Sequence, residues 1–230
     1  MRTWGLGLAV LLLFICALFP FDKAAQPAAA IQSGTQDKTK WLLIGVHQKT
    51  LTLYEGTQII KTYPVATGTG NTPTPLGVFR ITNRFASEMS GFGTRFLGFN
   101  CPWGTYGIHG TNKPASIGQN ASHGCIRMHV KDAEDLYSRV PNGTRVVIEG
   151  GPYGDLDSSL KPLSPGDRNS HVRAVQARLK ALGFYYGSAD GVFGENTKQA
   201  VIRARKALNL AVSDSVDWGF YQAIGLTLFE

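Results

Sequence analysis

The chain has 230 residues, 43% of them apolar and 17% charged, with a formal net charge of +7. That balance excludes a disordered chain, and the length allows one large domain or two small ones. The basic excess comes without Arg-Gly tracts or aromatics interleaved with arginine, so no nucleic-acid partner is expected.

From Trp4 to Phe19 (WGLGLAVLLLFICALF) an apolar run without charge follows Met1 and Arg2. It is short for a membrane span, and a polar stretch ending in Ala28-Ala29-Ala30 follows it, the pattern of an export signal cleaved after Ala30. Residues 1–30 therefore read as a signal peptide. An uncleaved N-terminal anchor is the alternative, and it is the one membrane contact expected. For an exported basic protein, an anionic cell-wall polymer is the natural partner. Cys16 belongs to the leader, so the cysteines left are Cys101 and Cys125, for which a single disulfide is one reading.

Residues 31–39 (IQSGTQDKT) are a polar lead-in. From Trp41 the pattern is β: WLLIGV is an apolar run, LTLY alternates, IIKTYPVATG follows a turn at Gly56, and GVFRI (77–81) and RVVIEG (145–150) are further strands. One helix is predicted over 132–140, with Ala133, Leu136 and Val140 on one face. These elements predict a mainly β domain, a sandwich or barrel-like fold, over residues 40–149. Residues 150–162 begin a stretch dense in Gly, Pro and Ser and read as a linker. Beyond it, residues 163–226 predict a small all-α module of three helices. The first is capped at Ser170 and carries Val172, Val175, Leu179 and Leu182. The second presents Thr197, Ala200, Val201, Ala204 and Leu208. The third is short, capped at Ser215 and ends at Ile224.

The chemistry concentrates in "IHGTNKPASIGQNASHGCIRM", residues 108–128. A cysteine nucleophile needs a nearby imidazole to take its proton and N–H donors for the oxyanion that forms. His109 and Cys125 fit the first need. His123-Gly124-Cys125 fits the second, because Gly124 lets the backbone turn and aim consecutive amides. Arg127 is placed to bind a carboxylate or to buttress the loop. His47 and His171 read as structural. The histidines and cysteines lack the tight pairs of a zinc site, so no metal or other cofactor is expected.

"YGIHGT", then "SHGCIRM", resembles the signature of the L,D-transpeptidase catalytic domain of bacterial peptidoglycan enzymes, and "VATGTGNTPTPLGVFRI" resembles that family's approach to the site. The resemblance implies an all-β catalytic domain with Cys125 as nucleophile and His109 as general base. It implies that the Gly110 carbonyl orients the imidazole and that the amides of His123, Gly124 and Cys125 form the oxyanion hole. Ser122, His123 and Arg127 match the motif's supporting positions. "GDRNSHVRAVQARLKALGFY" and "DGVFGENTKQAV" resemble a three-helix peptidoglycan-binding domain, with Ala204-Arg205 where that family usually has an aromatic-Gln pair. The implied activity is acyl transfer through a cysteine thioester that forms 3→3 cross-links. The implied partners are peptidoglycan stem peptides and glycan, and the implied location is the cell wall. An L,D-carboxypeptidase, a protein-to-wall linking enzyme and an inactive wall-binding protein are the alternatives.

Overall fold

Strand alternation builds the larger body. In a computed structural model of the chain, residues 38–87, 93–151, 156 and 159–228 are described, and the expected export signal lies outside them. Strands β1 (Lys40–Gly45), β2 (Thr50–Glu55) and β3 (Gln58–Pro64) form an antiparallel meander. A short β4 (Thr67–Gly68) leads to β5 (Gly77–Phe85), β6 (Phe96–Phe99) and β7 (Tyr106–Gly110). Then follow β8 (Asn120–Ser122), β9 (Ile126–Met128), helix α1 (Val130–Arg139) and β10 (Arg145–Glu149).

The main sheet runs β3-β2-β1-β10-β5-β6-β7-β9, with β1/β10 and β7/β9 parallel and the other pairs antiparallel. Every second residue points inward. Leu42 and Ile44 of β1, Leu51 and Leu53 of β2, Phe79 and Ile81 of β5, and Val146 and Ile148 of β10 thus meet in one core. Just past β3, Ala66 exchanges backbone hydrogen bonds with Arg127 of β9, both at 2.9 Å, so the sheet's two edges approach and the barrel is nearly closed. Helix α1 plugs it with Ala133 and Leu136 and starts two residues before the position expected from sequence. On the outer side, Asp135 accepts from Tyr63 Oη (2.8 Å), Lys61 Nζ (2.9 Å) and Arg139 Nε (2.8 Å). These partners hold its carboxyl well below the usual range and tie α1 to β3.

The smaller body is helical: α2 (Ser170–Ala181), α3 (Glu195–Ala207) and α4 (Trp218–Ala223). Val172, Val175, Leu179, Ala200, Val201, Ala204 and Phe220 make its core, and Leu163 joins it through a bridge to Val216. The caps differ from those expected. Asn169, not Ser170, accepts the Val172 amide at 3.0 Å, and Asp217, not Ser215, accepts the Phe220 amide at 2.8 Å. Both capping residues have extended backbone one step before the first helical residue, where a side-chain oxygen reaches the first turn. Arg205 is 3% exposed and donates to the carbonyls of Ser215 and Ala211 and to the Asp217 carboxylate (2.6 Å). A buried guanidinium thus fastens the 211–217 turn. Among the described residues no helix is long and apolar enough to cross a membrane.

The helical body docks on the β body. Ser170, freed from capping, accepts the buried Leu76 amide at 2.8 Å. Gly191 has φ +74°, and a β-carbon there would sit 2.5 Å from the Trp103 ring, so the indole packs directly on its backbone. Arg173 lies as close to Gly77.

Candidate active site

The parallel pair β7/β9 explains the sequence spacing. Parallel neighbours need a crossover of about a dozen residues, and residues 111–125 supply it. The register pairs Ile108 with Ile126 and His109 with Arg127. Ile108 and Ile126 face the core, 1% and 0% exposed. Alternation therefore sends His109 and Arg127 to the opposite face, and Cys125, one residue before β9, continues on their side. Extending the register sets Gly124 against Tyr106 and Cys125 against Gly107. In each pair a missing side chain makes room: a β-carbon on Gly124 would lie 2.5 Å from the Tyr106 ring, and one on Gly107 would lie 2.4 Å from the Phe96 ring.

His109 is 3% exposed, and its ring stacks on Phe96 with centroids 6.0 Å apart. Its Nδ1 is 2.5 Å from the Gly110 carbonyl oxygen. A carbonyl can only accept, so Nδ1 carries the proton and Nε2 holds the ring's lone pair. Burial lowers the His109 pKa, and the Arg127 charge pushes the same way against the opposing pull of the Gly110 carbonyl. Burial raises the Cys125 pKa, opposed by a hydrogen bond from the Gly107 amide and by Arg127. The resting pair is thus a neutral thiol and a neutral imidazole.

Ser122, 2% exposed, shapes the turn before the thiol. Its Oγ donates to the Cys125 carbonyl at 2.5 Å and accepts the Gly124 amide at 3.1 Å, while its own carbonyl accepts from the Thr69 amide and Thr72 Oγ1, both at 3.1 Å. Gly124 sits at φ +107°, a conformation that glycine tolerates best. The Gly124 amide, one of the three donors expected for a substrate oxygen, is thus engaged by the Ser122 hydroxyl. His123 is exposed, and its ring lines a cleft beside the turn. Arg127 braces the site through its backbone bonds to Ala66.

Cys101 and Cys125 are both free thiols, so the disulfide reading fails. Cys101 is buried, its pKa pushed up to about 11 by desolvation. His171 donates from Nε2 to the Ser159 carbonyl at 2.8 Å, a structural bond. Sequence reasoning missed Phe96, Gly107 and Tyr106. The alternation within "YGIHG" carried the signal: with Ile108 inward, Gly107 and His109 share the outward face.

Two family models match the chain: "L,D-transpeptidase catalytic domain" over residues 39–148 and "Putative peptidoglycan binding domain" over residues 168–218. "Putative L,D-transpeptidase YkuD" of Bacillus subtilis is 50% identical over 107 residues, and its Bacillus licheniformis counterpart is 48% identical over the same length. In both, the match covers 46% of this chain and 64% of the relative. "Putative L,D-transpeptidase YqjB" of Bacillus subtilis is 30% identical over 151 residues, 59% of this chain and 84% of the relative.

Proposed function

Given that the chain belongs to the L,D-transpeptidase family, we propose that it is a cell-wall cross-linking enzyme that works through a thioester on Cys125. The observation that carries the proposal is the His109 tautomer beside a neutral thiol. An imidazole fixed as Nδ1–H and kept neutral by burial is ready to accept a proton at Nε2, and a thiol whose pKa is raised needs such an acceptor.

In the first half-reaction, Sγ attacks the carbonyl of the bond between a diaminopimelate and the terminal D-alanine of a tetrapeptide stem, and its proton passes to His109. With the Gly124 amide committed to Ser122, the amides of His123 and Cys125 hold the oxyanion. The C–N bond then breaks, D-alanine leaves with the proton from His109, and a thioester remains. In the second half-reaction, an amine of another stem attacks the thioester and loses its proton to His109. The thiol returns and a 3→3 cross-link forms. Residues 1–30 export the protein to the wall, and the helical body binds peptidoglycan.

Mass spectrometry of muropeptides after incubation with the purified protein tests this. The expected products are free D-alanine and a cross-linked dimer, both absent with Cys125→Ala. Tripeptide without dimer would make the protein an L,D-carboxypeptidase, and no product with any stem would leave a wall-binding protein.

A further inference from the structure

A cleft of about 330 Å³ runs between the two bodies, and both build it. Pro73, Tyr106 and His123 form the wall on the β body, and Lys161, Arg168 and His171 belong to the wall on the helical body. The cleft reaches the nucleophile's turn: Tyr106 packs on Gly124, the Pro73 carbonyl would lie 3.1 Å from a β-carbon there, and His123 precedes Gly124. Lys161 and Arg168 are exposed, and among the described residues neither pairs with a carboxylate. Lys161 Nζ reaches only the Gly70 carbonyl, at 3.5 Å. Among the described residues no acidic side chain lines the cleft. Two unneutralised cations in a concave site beside a reacting thiol favour an anionic ligand.

We propose that this cleft binds a carboxylate of a stem peptide through Lys161 and Arg168, which makes the helical body a wall of the substrate site as well as a wall binder. The inference rests on the stem-peptide reading above. It differs from the picture of a module on a flexible linker, which raises local concentration without touching the chemistry. The docking through Ser170–Leu76 and Trp103–Gly191 holds the two cations in a fixed place relative to Cys125. A donor and an acceptor stem both carry carboxylates, and the test separates them.

Full-length Cys125→Ala protein, unable to turn over, is titrated with a soluble tetrapeptide stem and with the same peptide amidated at its carboxylates. The double substitution Lys161→Ala/Arg168→Ala is expected to weaken binding of the free-carboxylate peptide about tenfold, the scale of charge-assisted hydrogen bonds moderated by exposure. The amidated peptide should bind the two proteins alike, and the difference should shrink as salt rises. Arg168→Lys should retain most of the affinity. On the active background, a raised KM for the donor or for the acceptor identifies which stem occupies the cleft. Equal affinity of the free-carboxylate peptide for both proteins overturns the inference. Wild-type protein that binds the peptide but forms no product overturns the transpeptidase reading instead.

Discussion

His109 donates its Nδ1 proton to the carbonyl of its own chain neighbour, Gly110, over 2.5 Å. The bond forms within β7 and needs no third side chain, so a backbone oxygen alone fixes the tautomer of the ring. Because burial keeps the ring neutral, acid should switch the site off. Protonated imidazole cannot accept from the thiol, so the acylation rate should fall as pH drops through a His109 pKa that lies below the ordinary histidine value. It should stay level across neutral pH. A stopped-flow pH profile with a carbapenem, the β-lactam class expected to acylate Cys125, measures this. His109→Gln should lower the plateau about 10²- to 10⁴-fold. A half-point above the ordinary histidine range would contradict the buried neutral base.

The two cysteines should separate cleanly. Cys125→Ala should abolish the mass increase caused by the carbapenem while leaving the melting temperature nearly unchanged. Cys101→Ala should remain acylable and lose about 1 kcal/mol of stability, because Cys101 packs in the barrel core and not at the site. Intact-protein mass spectrometry and urea unfolding give both readings.

Gly124→Ala should damage the site twice over. The substitution demands φ +107° of a residue with a β-carbon and drives that carbon to 2.5 Å from the Tyr106 ring. Strain of about 1–3 kcal/mol is expected, and relief by moving the turn would misplace the His123 and Cys125 amides. Acylation should slow by at least about tenfold, the scale on which one oxyanion donor matters. An alanine variant with wild-type acylation kinetics would show that the turn does not set the oxyanion geometry.

Arg205→Ala should loosen the helical body without touching the thiol. Its removal leaves the partly buried Ser215 carbonyl and the Ala211 carbonyl without their donor, a loss of about 1–2 kcal/mol. Arg205 also holds the Asp217 carboxyl below its ordinary value. A depressed carboxylate pKa contributes stability at neutral pH that disappears as pH falls through the folded-state value. The wild type should therefore lose more stability on acidification than Arg205→Ala does. Denaturant unfolding of the full chain at neutral and acid pH compares them, and parallel losses would remove Asp217 from the account.

Local pattern was enough to name the candidate residues of the site and the two kinds of body. The apolar alternation of the early strands, the 3-4 spacing in α2 and α3, and the His-Gly and Ser-His-Gly-Cys motifs are each patterns of residues only a few positions apart. Covalent geometry ties such short-range patterns to faces and turns. The strands around the site were less visible: β6, β7 and β9 are four, five and three residues long, too short for periodicity to stand out. Their pairing is a long-range choice. Only the fold decided that β9 lies parallel to β7, so that thiol and imidazole share one face across a sixteen-residue gap. Capping was ambiguous for a similar reason. Asn169 and Ser170 are both good caps, and Ser170 was drawn away by the Leu76 amide, 94 positions distant. The docking of the helical body follows from the same physics. Trp103 meets Gly191, and Lys161 and Arg168 come to face His123, because burying that surface outweighs leaving the linker free, a balance no short window of sequence contains.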